Sequence, residues 1–383
     1  MRVGVDYRPA LVNREGIGRY VRELVRGMIE LDFDRSLGLF GYTLSPSKYS
    51  RQELGILDSE VDLLRLPWPS RLMPWLLRKT GKGVDDLVGG AEVYHHTYLA
   101  PLAVREAKEV VTIFDTIYAI EDSGFLDPQV GRSMTIRAKE LIDRSTRVLV
   151  PTEFVGAEVV MTFGVMPAKV SVTGLGCDHI VRTLPPGKIE RAKEPYILTV
   201  SRVDGRKNHL RILQAFEQLV KEGLPHRWVI SGTAGFGAEV FERALENSPA
   251  KNRVEWRRNV SDSELPMLYA EADCFVFPSL SEGFGLPPLE AMACGTPVVS
   301  SCVTSLPEVL GDAAFLVEPT ESERIFEATR RVLSEPALAE DLMLRGKQKA
   351  REHTWRDAAR HTLLAYQKAG ENSETGEGVR RSL

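Results

Sequence analysis

The segment Asp273–Thr296 reads DCFVFPSLSEGFGLPPLEAMACGT. Its apolar start, DCFVFP, is typical of a strand, and Pro287 and Pro288 suit the first turn of a helix, where no amide donors are needed. Between them, Gly283 and Gly285 would let backbone amides approach a ligand closely. The order of strand, glycine loop and helix predicts a βα unit whose helix start offers free N–H groups to an anion or to sugar hydroxyls.

This helix carries a carboxylate, Glu290, between Leu289 and Ala291. A carboxylate in apolar surroundings is costly unless it is hydrogen-bonded, and ribose or sugar hydroxyls are good donors to it. Its predicted place in the first helical turn leaves an alternative, in which the helix dipole alone favours the negative charge. Glu290 is therefore a candidate ligand-binding residue.

A basic segment, YILTVSRVDGRKNHLRILQAF, covers Tyr196–Phe216. It predicts a strand, a short turn and a helix, with Arg202 and Lys207 in the turn. Cations at a helix start oppose the dipole, and a bound diphosphate would reverse that penalty through charge-assisted hydrogen bonds. The alternative is a solvated basic turn, and we interpret Arg206 and Arg211 as surface residues.

Short apolar runs alternate with helical patterns along most of the chain, which is typical of βαβ units and a parallel sheet. The alternation is interrupted at Arg182–Pro195, RTLPPGKIERAKEP, which is rich in proline and charged residues, and it resumes at Tyr196. The predicted fold class is therefore α/β, with two doubly wound, Rossmann-like domains facing a cleft. In such sheets ligands bind outside the carboxyl ends of the strands.

The predicted domains follow from this pattern. Residues 1–182 form an N-terminal domain, 183–195 a linker and 196–353 a C-terminal domain. Residues 370–383 are polar and aperiodic, and we expect them to be a disordered tail.

Composition restricts the class of protein. The chain has 383 residues, of which 43% are hydrophobic, and a formal net charge of -4, which does not favour a nucleic-acid partner. Its four cysteines form no C-x-x-C pair, and we predict no metal site. The start, MRVGVDYRPA, lacks a signal-peptide pattern, and no apolar run approaches the roughly 20 residues of a membrane span. We expect a cytoplasmic protein.

Two features of the first half are candidate site elements. Gly16 and Gly18 precede a helix, but Val21 occupies the last position of the dinucleotide fingerprint, so they form either a phosphate contact or a tight turn. His96 and Asp115 stand at or just after apolar strand ends, where site residues collect in this architecture. For His96 a structural role is the alternative.

The stretch Leu66–Gly83, LPWPSRLMPWLLRKTGKG, combines aromatic and basic residues. Such a combination can indicate peripheral contact with an anionic membrane surface or a lipid-linked acceptor. The alternative is an ordinary packed helix with a solvated basic end.

Together these segments resemble glycosyltransferase family 4, retaining enzymes with the two-domain GT-B fold. The resemblance covers about residues 1–368. Its most specific part is the E-x7-E motif, here Glu282 to Glu290, with SLPEVLGDAA following at Ser305–Ala314. The family tends to return its last helix to the N-terminal domain, and TWRDAARHTLLAYQKA, about residues 354–369, is similar to that helix.

The resemblance implies roles for these residues. Glu290 would hold the ribose hydroxyls, and Arg202 and Lys207 match the diphosphate-binding pair of the family. Glu282 would contact the sugar and the distal phosphate, together with the backbone amides of Gly283, Phe284, Gly285 and Leu286. The implied mechanism is front-face displacement at the sugar, with no cofactor and no metal.

The first half contributes a match and a departure. Gly16 and Gly18 match the family's glycine loop, but many relatives have a His-Asp pair where this chain has Phe114 and Asp115. Phenylalanine cannot hydrogen-bond to the donor sugar, so Asp115 or His96 is expected to take up part of that role.

The predicted function is retaining transfer of a hexose from a nucleotide-sugar donor to a glycan, lipid-linked or small-molecule acceptor hydroxyl. The GIGRY loop and the HHTY segment resemble the mannosyltransferase-type branch, which favours a GDP-mannose-type donor and places UDP-sugars next. A nucleotide-sugar epimerase of the same fold and a non-catalytic sugar-nucleotide-binding protein are the alternatives.

Overall fold

The computed structural model describes residues 1–13, 16–44, 49–56, 59–120, 124–187 and 189–371. The chain forms two compact units. The first unit contains Met1–Ala119, Gly131–Gly176 and the chain from Trp355 on, and the second contains Ile120–Val130 and Cys177–Thr354.

The strands of the first unit are β1 (Val3–Asp6), β2 (Leu37–Tyr42), β3 (Asp62–Leu66), β4 (Val93–His96), β5 (Lys108–Thr112), β6 (Arg147–Val150) and β7 (Val170–Val172). Those of the second are β8 (Tyr196–Val200), β9 (Arg227–Ser231), β10 (Val254–Arg257), β11 (Cys274–Phe277), β12 (Val298–Ser301) and β13 (Phe315–Val317).

The helices that precede β8 in the chain are α1 (Arg8–Val12), α2 (Ile17–Ile29), α3 (Met73–Thr80), α4 (Val84–Leu87), α5 (Pro128–Arg144) and α6 (Glu153–Phe163). The later helices are α7 (His209–Lys221), α8 (Ala238–Glu246), α9 (Leu265–Ala270), α10 (Leu286–Ala293), α11 (Leu306–Leu310), α12 (Ser322–Ser334), α13 (Pro336–Arg351) and α14 (Trp355–Glu371).

Each unit contains one parallel sheet. The strand order is β3-β2-β1-β4-β5-β6-β7 in the first sheet and β10-β9-β8-β11-β12-β13 in the second. The central strands β1 and β11 are buried along their whole length, as expected for parallel strands with helices on both faces. The predicted α/β class with two Rossmann-like domains is confirmed.

The strand order reverses between β8 and β11 in the second sheet. At such a switch point the loops that follow the two strands lead to opposite faces and leave a crevice between them, which is where ligands bind in doubly wound sheets. The loops after β8 and β11 are the two segments that the sequence analysis selected for their chemistry.

The last helix, α14, packs against α2 of the first unit, which confirms the predicted return of the C-terminal helix. Gly27 makes this approach close, because a Cβ atom there would lie 2.5 Å from the carbonyl oxygen of Trp355 and 3.0 Å from Cβ of Ala359. Tyr366 is fully buried, and its hydroxyl lies 2.7 Å from Nδ1 of His95.

Some features differ from the sequence expectations. Residues 177–182, placed in the first domain by the sequence, belong to the second unit, because the backbone N–H of Cys177 donates to the carbonyl of His353. Residues 372–383 of the predicted tail lie outside the described residues. Among the described helices, none combines the length and apolarity needed to cross a bilayer.

Candidate active site

The loops after β8 and β11 are hydrogen-bonded to each other. The backbone N–H of Leu280 and the hydroxyl of Ser279 both donate to the carbonyl of Arg206, at 2.9 and 3.2 Å. This contact brings the basic turn of one loop against the acidic motif of the other.

The acidic motif begins with Glu282, which is buried against two cations. Nζ of Lys207 lies 2.5 Å from Oε1 of Glu282, and Nη1 of Arg206 lies 3.0 Å from Oε2. Burial raises the pKa of Glu282, but the charges of Arg206 and Lys207 outweigh it and hold the pKa at about 2. Burial also lowers the pKa of Lys207, and the neighbouring Arg206 adds to this effect. The cluster thus places two basic side chains around one carboxylate.

Arg206 corrects the sequence interpretation. We expected a surface residue, but only 17% of its side chain is exposed, and it also donates to the carbonyl of Ser281 at 2.6 Å. Its partners come from a distant part of the chain, so nothing in the local sequence distinguished it from the more exposed Arg202.

Arg202 lies at the same edge but outside the Glu282 cluster. About half of its side chain, 52%, is exposed, and it pairs with Asp204 at 3.2 Å. A Cβ atom on Gly235 would lie 2.9 Å from its Nε, so the guanidinium passes closely over this glycine. The structure therefore leaves Arg202 accessible at this edge, while Lys207 is engaged by Glu282.

Asn208 holds the basic turn in place. It adopts the left-handed conformation, with φ of 66°, and its Nδ2 donates to the carbonyls of Pro278 and Pro319 at 2.9 and 2.7 Å. Asparagine tolerates this backbone conformation better than most residues. One amide thus ties the turn to the loops after β11 and β13, a role that the sequence analysis missed.

The start of α10 is shaped by Gly285. Its φ of 90° and the 2.4 Å distance from a Cβ atom there to Cδ2 of Leu306 both require glycine. Phe284 is buried and packs edge-on against His353, with ring centroids 5.7 Å apart, so its side chain is part of the core. Leu286 begins the helix. The ligand contacts at Gly283–Leu286 stay a prediction, which assigns them to backbone amides.

Glu290 lies in the second turn of α10, not in the first. It is 1% exposed, its Oε1 lies 3.0 Å from Nε2 of His179, and its Oε2 accepts a 2.8 Å hydrogen bond from the hydroxyl of Tyr269. A residue past the first turn gains little from the helix dipole, which weakens the alternative explanation for this carboxylate. Neither His179 nor Tyr269 was predicted, because their sequence neighbours carry no motif.

In the first unit, the predicted glycines shape the start of α2. Gly16 has φ of 55° and precedes the helix, and a Cβ atom on Gly18 would lie 2.2 Å from the carbonyl oxygen of Asn13. Close packing therefore explains Gly18 without a ligand. Asp115 is half-buried and accepts from the backbone N–H of Ile117 at 3.3 Å.

Next to Asp115, Phe114 packs edge-on against Tyr20, with ring centroids 4.8 Å apart. It therefore belongs to the apolar packing around α2.

His96 is fully buried in β4. Its Nε2 lies 2.8 Å from Oε2 of Glu109, and the same oxygen lies 2.6 Å from Nη2 of Arg144. Burial lowers the pKa of His96, with Glu109 acting in the opposite direction. These contacts support the structural alternative for His96 over the catalytic prediction.

Comparison with known proteins agrees with this arrangement. The family model described as glycosyl transferases group 1 matches residues 182–351, which contain both loops and α10. The chain is 34% identical over 375 residues to the O-antigen chain mannosyltransferase B of Escherichia coli, an alignment that covers 92% of this chain and 95% of the relative.

Solved structures share the fold. Sucrose-phosphate synthase from Thermosynechococcus elongatus has a TM-score of 0.73 at 18% identity, covering 96% of this chain and 98% of that chain. HepE from Anabaena, in complex with UDP and glucose, has a TM-score of 0.67 at 14% identity, covering 97% of this chain and 98% of that chain. The chain therefore belongs to the group 1 glycosyltransferases, and it is a GT-B hexosyltransferase similar to a bacterial O-antigen mannosyltransferase.

Proposed function

We propose that the chain is a retaining glycosyltransferase that takes a hexose from a nucleotide-sugar donor bound by the second unit. A GDP-mannose-type donor is favoured, and UDP-sugars come next. The acceptor is a hydroxyl of a glycan, a lipid-linked sugar or a small molecule. The observation that carries the proposal is the convergence of Lys207 and Arg206 on Glu282 beside the start of α10.

The names of similar proteins support this choice. The Escherichia coli relative is named an O-antigen chain mannosyltransferase, which favours a mannose donor and a glycan acceptor. The Anabaena structure holds UDP and glucose, which supports a nucleotide-sugar donor and keeps UDP-sugars as the second choice.

The proposed roles follow from charge and position. The donor diphosphate lies against Arg202, Lys207 and the amides of Gly283–Leu286, because a helix start and two cations favour a multiply charged anion. Glu282 contacts the sugar, and Glu290 accepts hydrogen bonds from the ribose hydroxyls.

The proposed reaction is front-face displacement. The bond from C1 of the sugar to the diphosphate oxygen breaks first, its electron pair leaves with the diphosphate, and C1 becomes oxocarbenium-like. The acceptor oxygen then forms its bond to C1 on the same face, and its proton passes to the departing phosphate. Arg202, Lys207 and the start of α10 stabilise the charge that develops on the leaving group, so no metal or other cofactor is proposed.

Roles in the first unit remain predictions. Gly16 and Gly18 are predicted phosphate contacts, Asp115 is the predicted catalytic residue on the acceptor side, and the catalytic role of His96 stays a prediction beside its contact with Glu109. We propose a cytoplasmic location for the reaction.

Nucleotide titration tests the donor site. We expect GDP to bind most tightly among GDP, UDP, ADP and dTDP in isothermal calorimetry. Glu290→Ala is expected to weaken that binding about tenfold or more, because a hydrogen-bonded carboxylate partner of the ribose is lost.

The exposed Glu323→Ala serves as the matched control, and we expect it to bind like the wild type. Equal affinity of the Glu290→Ala variant and the wild type would contradict the proposed ribose contact. Conversion of the donor sugar with no acceptor present would instead favour an epimerase.

We also propose that α3 and its flanks contact an anionic membrane surface. Leu72 and Trp75 are 47% and 49% exposed, and Nζ of Lys79 lies 4.9 Å from the Trp75 ring centroid. The stretch 67–82 contains no acidic residue, and its exposed cations are Arg71, Arg78, Lys79 and Lys82. Exposed aromatic and aliphatic side chains beside cations suit the interface of anionic lipids.

Vesicle sedimentation tests this contact. We expect the protein to bind vesicles with phosphatidylserine and not neutral vesicles, and Trp75→Ser with Lys79→Glu to lose most of the binding. A control pair in the second unit, Val240→Ser with Lys251→Glu, is expected to bind like the wild type. Equal binding by the Trp75 pair and the wild type would reject the surface.

A further inference from the structure

The segment that opens the second unit is firmly anchored. The backbone N–H of Cys177 donates to the carbonyl of His353 at 3.0 Å, and its Sγ lies 3.3 Å from the carbonyl oxygen of Ala350. A 3₁₀ helix, Asp178–Thr183, begins directly after this anchor. His179, in its first turn, is therefore presented from a fixed backbone.

From this backbone His179 reaches the buried carboxylate of Glu290. Only 9% of the His179 side chain and 2% of the Glu290 side chain are exposed. Nε2 of His179 lies 3.0 Å from Oε1 of Glu290, where an N–H on this ring nitrogen can donate to the carboxylate. The other oxygen of Glu290 is held by the fully buried Tyr269, so both oxygens have fixed directions.

The fixed orientation of the two Glu290 oxygens affects how the carboxylate binds a ligand. Each oxygen has two lone pairs and can accept a second hydrogen bond without losing the first. Tyr269 has no exposed surface, whereas 9% of the His179 side chain is exposed. A preorganised acceptor binds more tightly than one that must be ordered first.

We infer that His179 is a positioning residue. It orients the carboxylate of Glu290 toward the ribose hydroxyls of the donor. The inference rests on the proposed function, because it takes Glu290 as the ribose ligand. His179 itself does not touch the reacting atoms. Its contribution is therefore visible in how well the site distinguishes a ribose from a sugar that lacks these hydroxyls.

A comparison of two nucleotides measures this contribution. The probes are GDP and 2′,3′-dideoxy-GDP, or the UDP pair if UDP is the tighter ligand in the titration. We expect the wild type to prefer the ribose form about a hundredfold and His179→Ala to reduce this ratio to about tenfold. His179→Gln, which keeps a donor of similar reach, is expected to restore most of the ratio.

Two further variants keep the test decisive. His179→Phe retains the ring volume without the donor, and we expect it to fold and to show the reduced ratio even if the alanine variant is unstable. His226→Ala removes another histidine of the second unit, which pairs with Asp273 at 3.5 Å, and is expected to leave the ratio unchanged.

The outcomes distinguish the positioning role of His179 from the proposed ribose contact of Glu290. If Glu290→Ala abolishes the preference for ribose but His179→Ala and His179→Phe keep it, the positioning role is overturned and the ribose contact stands. If Glu290→Ala keeps the full preference, the ribose contact fails and the positioning role fails with it. A loss of affinity that is equal for both nucleotides in the His179 variants would indicate only a structural role and would also overturn the inference.

Discussion

Replacing Lys207 by methionine is expected to lower kcat/KM about a thousandfold, because the cation that we propose to face the leaving diphosphate is lost from a position where its side chain is only 11% exposed. In other enzymes, removal of one hydrogen-bond donor that stabilises charge in the transition state lowers kcat by about a hundredfold to a thousandfold. The reaction is followed as GDP release from GDP-mannose, or UDP release from UDP-glucose, with water or a glycan as acceptor.

The variant should still fold, because Arg206 continues to pair with Glu282 at 3.0 Å, so the carboxylate is not left alone. Lys221→Met is the matched control, since this lysine is exposed at the end of α7. We expect it to keep wild-type kcat/KM. A Lys207→Met enzyme within about threefold of the wild type would remove Lys207 from the proposed mechanism.

Gly27→Val is expected to destabilise the first unit by about 3 kcal/mol, because two added methyl groups and a Cβ atom meet the backbone of α14. The Cβ atom alone would lie 2.5 Å from the carbonyl oxygen of Trp355. The backbone of a helix cannot move aside as a flexible side chain can. The clash is therefore relieved only if α14 moves away from α2. Urea unfolding measures the loss, and hydrogen exchange of α2 and α14 locates it.

Gly370→Ala is the control for this substitution, because a Cβ atom at Gly370 meets nothing within 4 Å. Alanine also favours a helix more than glycine does, so we expect a stability equal to or slightly above that of the wild type. Wild-type stability of Gly27→Val would contradict the close packing of α14 on α2.

Local patterns in the sequence determined the architecture. The alternation of apolar runs and helical periods predicted the parallel sheets, since strand and helix periods are properties of neighbouring residues. The same holds for the glycine loop and the prolines at the start of α10, where backbone geometry restricts the residue type within a few positions. The E-x7-E spacing likewise placed Glu282 and Glu290 on either side of one helix start.

Only the tertiary structure decided which side chains accompany these carboxylates. Lys207 and Glu282 are 75 residues apart in the chain, and His179 and Glu290 are 111 apart. No period or spacing relates such positions, because their distance is set by the strand order of the sheet. For the same reason Arg206 resembled a surface residue, although its side chain is mostly covered and pairs with Glu282.

His96 also shows the difference between what the sequence predicts and what the tertiary structure adds. Its place at a strand end predicted a site residue, and only the folded chain shows that its ring contacts Glu109, whose carboxylate also pairs with Arg144. The sequence by itself determined the fold class and the positions of the two motif carboxylates, because local geometry and spacing specify them. The partners that neutralise and orient those carboxylates depend on which loops the folded sheet brings together.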